Sequence, residues 1–261
     1  MKQYLCHEHP LRFAHRGSRV LWPENTMAAF QGAADLGYFH IETDIHATRD
    51  RRIVVFHDDR LERLTDGTGF VWDWRWDDLR RLDAAHHFDA ASGYPRRGRG
   101  ERIPLLEEVL ATWPHIQFNL DLKQVGIEVP LWEEIERLGA HDRVLVGAFQ
   151  ATRVTAFRRL SGGTVATAAG PGEVLRAISA ARVGRRLRGP YDALQVPERA
   201  RALRVVTGRL IEAAHAGGKQ VHVWTVNDPA DMRRLLELGA DGIVTDRPDL
   251  LNEVVEERTS T

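Results

Sequence analysis

One cysteine, Cys6, stands in 261 residues. A lone thiol permits no internal disulfide and no cysteine-based zinc site. Charge of one sign is also missing: 36 Lys and Arg face 37 Asp and Glu, for a net −1. No global field therefore draws the chain to nucleic acid or to a membrane surface. No segment approaches the roughly 18 consecutive apolar residues of a membrane span, so no stable membrane insertion is expected. The first ten residues, Met1 to Pro10, hold no apolar stretch of the kind a secretory signal requires. The expected location is cytoplasmic. Neither G-x-G-x-x-G nor a Walker lysine loop occurs, which removes the usual signature of an open nucleotide-binding sheet.

The sequence does contain a rhythm of short apolar runs and longer amphipathic ones. Strands are expected at Arg12–His15, Phe39–His46, Ile53–Phe56, Ile116–Leu122, Val144–Ala148, Thr164–Thr167, Ala193–Val196, Gln220–Val226 and Gly242–Thr245. Helices are expected at Thr26–Leu36, Leu105–Thr112, Val129–Leu138, Thr152–Leu160, Gly172–Arg182, Thr207–Ala216, Pro229–Leu238 and Pro248–Val255. Asp228 before Pro229 reads as an N-cap with proline at the first helical position. Repeated βα units imply a parallel sheet, and this number at this length favours an α/β fold of the (β/α)8 TIM barrel type over a doubly wound sheet. One strand is surplus or half of a pair, because Ile53–Phe56 follows its predecessor too closely for an intervening helix. The chain 1–261 reads as a single barrel domain.

The segment of about 58–102 breaks the rhythm. It carries Trp72, Trp74, Trp76 and an arginine-rich stretch from Tyr94 to Gly100. It reads as a small insertion after the His57 strand, lying over the barrel mouth, with a short helix near Asp77 to Ala84. The arginine stretch reads as solvated surface. Phe70 and the tryptophans are candidates for an apolar rim.

Chemistry-bearing residues gather at strand ends, where barrel enzymes place their working groups. In Phe39–His46, Glu42, Asp44 and His46 share one face by the period of two, and Ile41, Thr43 and Ile45 the other. In Phe118–Lys123 the same parity puts Asn119, Asp121 and Lys123 inward. Charges aimed into a barrel are costly unless paired or metal-bound. Glu42, Asp44 and Asp121 supply oxygen ligands only, which suits Mg²⁺ or Ca²⁺, with Mn²⁺ as a third option. Arg16 and Lys123 suit a phosphate and the charge that builds on it. His15 and His57 close strands beside these charges and are candidates for general acid and base. His46, His115, His215 and His222 read as structural histidines. Trp224 is expected to line the pocket and cover the apolar side of a substrate, with a place in the packed core as the alternative. Glu24 and Asn25 are expected to order the first loop. Together these residues suggest a metal-assisted phosphodiester site.

His15-Arg16-Gly17, Pro23-Glu24-Asn25-Thr26, Glu42-x-Asp44 and His57-Asp58 resemble the glycerophosphodiester phosphodiesterase family. Val223-Trp224-Thr225-Val226-Asn227 and the segment Gly239 to Pro248 resemble its closing signatures. The resemblance runs from Phe13 to about Leu251. It implies a TIM barrel that hydrolyses glycerophosphodiesters to glycerol 3-phosphate and an alcohol. It further implies a divalent metal on Glu42, Asp44 and the position of Asp121, proton transfer by His15 and His57, and phosphate contacts from Arg16 and Lys123. Attack by a neighbouring glycerol hydroxyl and direct attack by water both fit. One departure stands out: Asp121-Leu122-Lys123 replaces the family's usual Glu-x-Lys. The shorter side chain leaves open direct ligation, a bridging water or an altered metal preference. A lysophospholipase D-type hydrolase acting on lysophospholipids is the alternative activity. A non-catalytic phosphate-binding barrel is disfavoured, because both histidines and all three carboxylates are present.

Overall fold

The computed structural model describes residues 2–7, 10–201 and 203–259. Its strands are β1 (Leu11–His15), β2 (His40–Ala47), β3 (Ile53–Val55), β4 (Gln117–Leu122), β5 (Val144–Gly147), β6 (Ala166–Thr167), β7 (Ala193–Pro197), β8 (Arg199–Ala200), β9 (Leu203–Arg204), β10 (Gln220–Trp224) and β11 (Gly242–Thr245). Its α-helices are α1 (Met27–Asp35), α2 (Trp76–Leu79), α3 (Leu106–Thr112), α4 (Glu128–Leu138), α5 (Ala151–Leu160), α6 (Pro171–Arg182), α7 (Gly208–Ala216), α8 (Pro229–Glu237) and α9 (Pro248–Thr259).

The main sheet runs β6-β5-β4-β2-β1-β11-β10-β7, and every neighbouring pair along that path is parallel. The ring closes between β6 and β7. Ala168 bridges Ala193, the Asp192 N–H donates to Thr167 O at 2.8 Å, and the Ala169 N–H donates to Ala193 O at 2.9 Å. The expected (β/α)8 barrel is the observed fold.

The surplus strand is β3. It pairs antiparallel with β2, Ile45 opposite Val55 and Ala47 opposite Ile53. The Thr48–Arg52 turn is too short for the dozen or so residues a parallel crossover needs, so the chain can only fold back. The hairpin β8-β9 is an element that hydrophobic patterning does not reveal; its strands are two residues each and exposed.

Strand parity decides the packing. Ile41, Ile45, Phe118, Leu120, Leu122, Val221, Val223 and Ile243 face outward into one continuous core with Phe30, Leu106, Leu131, Phe157, Leu210 and Leu235 of the helices. Inside the barrel, Leu11, Phe13, Leu145, Ala166 and Val244 pack together with Tyr4 and Leu5. The upper half of the interior is lopsided: β1, β2 and β4 send up long charged side chains, whereas β5 ends in Gly147 and β6 is followed by Ala168. That imbalance leaves open space on the β5–β7 side of the mouth.

The insertion carries its own apolar cluster, with Val54, Phe56, Leu61, Val71, Trp76, Leu79 and Ile103 packed against one another. Two of the tryptophans, Trp74 and Trp76, serve that cluster. Trp76 is buried, Trp74 packs on it and donates to Thr68 O at 3.1 Å, and Trp72 stacks on Phe70 with centroids 4.7 Å apart. None of them lines the barrel cavity. The expected apolar rim at Phe70–Trp76 is therefore not where the mouth is apolar. The arginine stretch is exposed, as expected, with Arg97 lying over the Tyr94 ring.

Candidate active site

The first loop turns sharply as soon as β1 ends. Arg16, Gly17 and Ser18 all have positive φ, at 54°, 78° and 113°. A Cβ on Gly17 would lie 2.7 Å from the Ala29 backbone, so only glycine lets the loop sit on α1. The left-handed backbone at Arg16 costs about 1 kcal/mol or more. It turns the guanidinium back into the barrel, where Nη1 donates to Glu24 Oε1 at 2.8 Å and Nε lies 3.1 Å from Asp44 Oδ2. Asn25, also at positive φ, donates to Asp44 Oδ2 at 3.0 Å and accepts from Thr43 Oγ1 at 2.7 Å. Thr26 then caps α1 through the Ala29 N–H. Glu24 and Asn25 thus order the loop, and Glu24 holds Arg16.

Each candidate histidine is paired with an aspartate. His15 Nδ1 lies 2.6 Å from Asp246 Oδ1 at the end of β11, and its Nε2 lies 3.6 Å from Glu42 Oε2. Burial works against the His15 cation, yet Glu42 and Asp246 outweigh it and raise the pKa. Burial would also raise the Asp246 carboxyl, but His15, Asn227 and Arg19 hold it down to about 2. His57 Nδ1 lies 2.5 Å from Asp58 Oδ1. Arg63, from the insertion, clamps that aspartate at 2.5 and 3.0 Å and reaches Glu24 at 2.8 and 3.1 Å. The insertion is therefore tied to both the second dyad and the first loop.

The carboxylates sit in register across β2 and β4: Glu42 beside Asn119, Asp44 beside Asp121. Lys123 Nζ lies between the second pair, 2.8 Å from Asp44 Oδ1 and 2.6 Å from Asp121 Oδ2. Burial disfavours an ionised Asp44, but Lys123 and Arg16 reverse that and hold its pKa well below the usual carboxylate range. Glu42 is pushed up by burial and then by Asp44. Asp121 is pushed up mainly by burial.

Trp224 and Phe149 meet edge to face, centroids 5.5 Å apart, and Phe149 lies 5.4 Å from Lys123 Nζ. A single cavity of about 530 Å³ takes in His15, Arg16, Glu42, Asp44, His57, Asp121, Lys123 and Trp224. All eight candidate site residues from the sequence thus line one space.

Residues 15–250 match the model of the glycerophosphoryl diester phosphodiesterase family. The chain belongs to this family. It is 38% identical over 259 residues to a Mycobacterium tuberculosis protein named "Probable glycerophosphodiester phosphodiesterase 2", covering 97% of this chain and 93% of that one. It is 34% identical to the glycerophosphodiester phosphodiesterase of Bacillus altitudinis, covering 94% and 98% respectively. The solved structure of an Oleispira antarctica phosphodiesterase in complex with the product sn-glycerol-3-phosphate shares the fold, with a TM-score of 0.75, 23% identity and coverage of 95% and 97%.

In this family member, a hard cation has suitable donors on β2 and β4. Glu42 Oε2 and Asn119 Oδ1 are buried and accept no hydrogen bond among the described residues. Glu42 Oε2 has His15 Nε2 at 3.6 Å, beyond hydrogen-bond reach, so both buried oxygens keep lone pairs of the kind that suit Mg²⁺ or Ca²⁺. Among the described residues, no three acidic or histidine side chains converge tightly enough to enclose an ion as they stand. Lys123 lies where Asp44 and Asp121 come closest.

Sequence reasoning left two functional partners unassigned, Asp246 and Arg63. Asp246 carried a signal: it stands two residues past Val244 on the inward parity of β11, at the same level as the strand-closing His15 on β1. Arg63 carried none, because its partners come from the fold of the insertion. Of the remaining histidines, His46 is buried against the His57 carbonyl at 3.3 Å, His215 pairs with Asp241, and His222 lies inside the barrel against Phe13. His115 is exposed rather than packed, because it sits in the turn after α3.

Proposed function

We propose that this protein hydrolyses glycerophosphodiesters to glycerol 3-phosphate and an alcohol. The observation that carries the reading is the pair of histidine–aspartate dyads at one mouth, with Arg16 and Lys123 beside them. Each aspartate orients its imidazole and stabilises the imidazolium that forms on proton uptake. With each Nδ1–H donated to its aspartate, Nε2 is the nitrogen that takes up and releases the transferred proton in each ring. One histidine accepts a proton from the attacking hydroxyl while the other donates one to the leaving alkoxide. Arg16, held by Glu24, and Lys123 draw the phosphate in and neutralise its charge. The product complex of the Oleispira relative and the family's naming support this substrate class.

Glu42, Asp44 and Asp121 would hold a divalent cation, Mg²⁺ or Ca²⁺ and less readily Mn²⁺. A bound cation would supply Lewis-acid stabilisation of a non-bridging phosphoryl oxygen. Glu42 Oε2, buried and without a hydrogen bond among the described residues, supports that reading.

The test is a product assay with glycerophosphocholine, glycerophosphoethanolamine and glycerophosphoinositol, before and after EDTA and with each metal added back. Glycerol 3-phosphate should appear from at least one substrate, vanish on chelation and return with metal. Absence of product from all three substrates in metal-replete enzyme overturns the activity. Undiminished turnover in metal-free enzyme overturns the cation.

A further inference from the structure

The net charge of −1 hides an uneven distribution along the chain. Between residues 171 and 209 stand nine arginines and no lysine against three carboxylates, Glu173, Asp192 and Glu198, a local net of +6. All three carboxylates are engaged from elsewhere. Glu173 pairs with Arg158, Glu198 pairs with Arg234, and Asp192 accepts from the Thr167 N–H at 2.9 Å. The nine arginines are all exposed, and among the described residues none of them makes an ion pair.

The centre of this basic face is α6. Its Ala177 and Ala181 are buried in the core, and Leu175, Arg176, Ser179, Arg182 and Val183 lie exposed on the opposite side. Leu175 and Val183 are 65% and 70% exposed, aliphatic side chains held in water among arginines. Arg185, Arg186 and Arg188 extend the face through the loop after α6, and the β8-β9 hairpin extends it at the mouth. Ala200 and Leu203 of the hairpin line the cavity, so by the period of two Arg199 and Arg204 face away from it. They stand directly opposite each other, a like-charge pair that costs stability. A helix C-terminus favours cations, which accounts for Arg182 and its loop but for neither the hairpin pair nor the exposed aliphatics. Guanidiniums free to meet phosphates, interspersed with aliphatics free to enter an acyl boundary, match the headgroup layer of an anionic membrane. A single-stranded nucleic acid would want aromatic platforms between the cations, and the one aromatic residue of the segment, Tyr191, is buried. We propose that the outer face of α6, the loop after it and the β8-β9 hairpin dock this protein on a bilayer bearing anionic lipid. The docking is peripheral, and it does not depend on which diester the site cleaves.

The experiment is cosedimentation of the full chain with vesicles of phosphatidylcholine, alone or mixed with phosphatidylglycerol. The protein should partition onto the mixed vesicles at low ionic strength, leave them as salt rises, and ignore pure phosphatidylcholine. Arg186→Ala, Arg199→Ala and Arg204→Ala should each lower the partition coefficient about fivefold, and Val183→Ser should lower it by a similar factor of about five. Arg99→Ala is the control, an exposed arginine of the insertion that rises beside β2, across the ring from β7; it should partition as the parent does. All five positions are exposed, and unchanged melting curves show that partition rather than folding is being read. No partition onto the mixed vesicles overturns the proposal. Partition that survives the three face variants, or that Arg99→Ala weakens equally, assigns the contact to another surface and overturns the face. Loss in the arginine variants with Val183→Ser binding as the parent, together with retention on an RNA oligonucleotide, assigns a polyanion and overturns the bilayer.

Discussion

His15 Nδ1 and Asp246 Oδ1 lie 2.6 Å apart at the ends of β1 and β11, joining two strands from opposite ends of the chain. Asp246 also accepts from Arg19 and Asn227, at 3.0 and 2.9 Å, so its orientation is fixed from several sides. Asp246→Asn keeps the shape and removes the charge that supports the His15 cation. Its kcat should fall by roughly 10²–10⁴, the range for lost acid–base function. Stability should change with a definite sign. The native pKa is lowered from 3.8 to about 2, so the stabilising contribution of about 2 kcal/mol is present above pH 4 and fades as pH falls toward 2. Denaturant melts should show the variant's deficit near neutrality and its disappearance in acid. A constant deficit at all pH values would contradict the charge assignment.

Alanine at either His15 or His57 should lower kcat by roughly 10²–10⁴ with the fold intact. Both residues sit at the open end of the barrel and neither belongs to an apolar cluster. His46→Ala is the contrast. His46 is fully buried, and burial lowers its pKa, so its loss should cost roughly 1–3 kcal/mol of stability through a cavity and a lost hydrogen bond. Thermal melts and kcat measured on the same three proteins separate the two kinds of residue.

Arg63 couples the insertion to the chemistry through Asp58 and Glu24. Arg63→Ala leaves Glu24 with Arg16 alone and frees one side of Asp58. A loss in kcat of roughly 10–10² is expected, the scale for outer partners of a functional group. Arg63→Lys should recover only part of it, because an ammonium cannot bridge two carboxylates with a planar fork. Hydrogen exchange of the Asp58–Thr65 amides should speed up in both variants. Unchanged exchange with normal kcat would make the clamp incidental.

Much of the site was readable because a period of two is local. Glu42 with Asp44, and Asn119 with Asp121 and Lys123, declare their inward face within six residues of chain. Barrel closure is not local. Nothing near Asp246 states that β11 pairs with β1; that follows only from the ring order. The Phe70–Trp76 stretch misled for a related reason: four aromatics with no visible partner resemble an exposed rim, whereas Trp74 and Trp76 join a cluster with Leu61, Leu79 and Ile103 from elsewhere in the insertion, and Phe70 and Trp72 stack on each other. The apolar side of the cavity, lined by Val174 and Ile178 of α6 and Leu203 of β9, escaped notice because its wall is split between one face of α6 and a hairpin with no hydrophobic period. Asp121 gave a mixed signal. Its inward placement was readable, but its engagement by Lys123 depends on side-chain reach.

Glu134 on α4 offers a test away from the mouth. Burial, then the neighbouring Glu107, raise its pKa to about 7, with Arg137 and Arg52 offsetting only part. Both arginines are already paired with Glu107, and Glu134 Oε1 is buried with no hydrogen bond among the described residues. A raised carboxyl pKa favours the fold below pH 4.5 and penalises it as pH rises through 7. Glu134→Gln should therefore stabilise the protein by about 1 kcal/mol at pH 8 and have little effect at pH 4.5. Melting curves at the two pH values decide, and equal effects at both would contradict a buried charge.

Lys123 bridges Asp44 and Asp121, which gives the β4 pair opposite expectations under substitution. Lys123→Ala leaves two buried carboxylates facing each other across register neighbours. Without added metal the variant should lose stability, by roughly 3 kcal/mol or more for a broken buried pair. Mg²⁺ should then raise its Tm more than it raises that of the parent, because the cation replaces the missing ammonium. Turnover should fall with metal present, since the phosphate loses a contact. Asp121→Asn removes a charge instead of a countercharge, so its Tm should respond to Mg²⁺ less than the parent's. Asp121→Glu keeps the charge and adds reach, and it should retain substantial metal-dependent activity. Thermal shifts with and without Mg²⁺, alongside metal titration of activity, read all three variants. If Asp121→Asn responds to metal as the parent does, Asp121 serves Lys123 alone, and the cation is held by Glu42 and Asp44 without it.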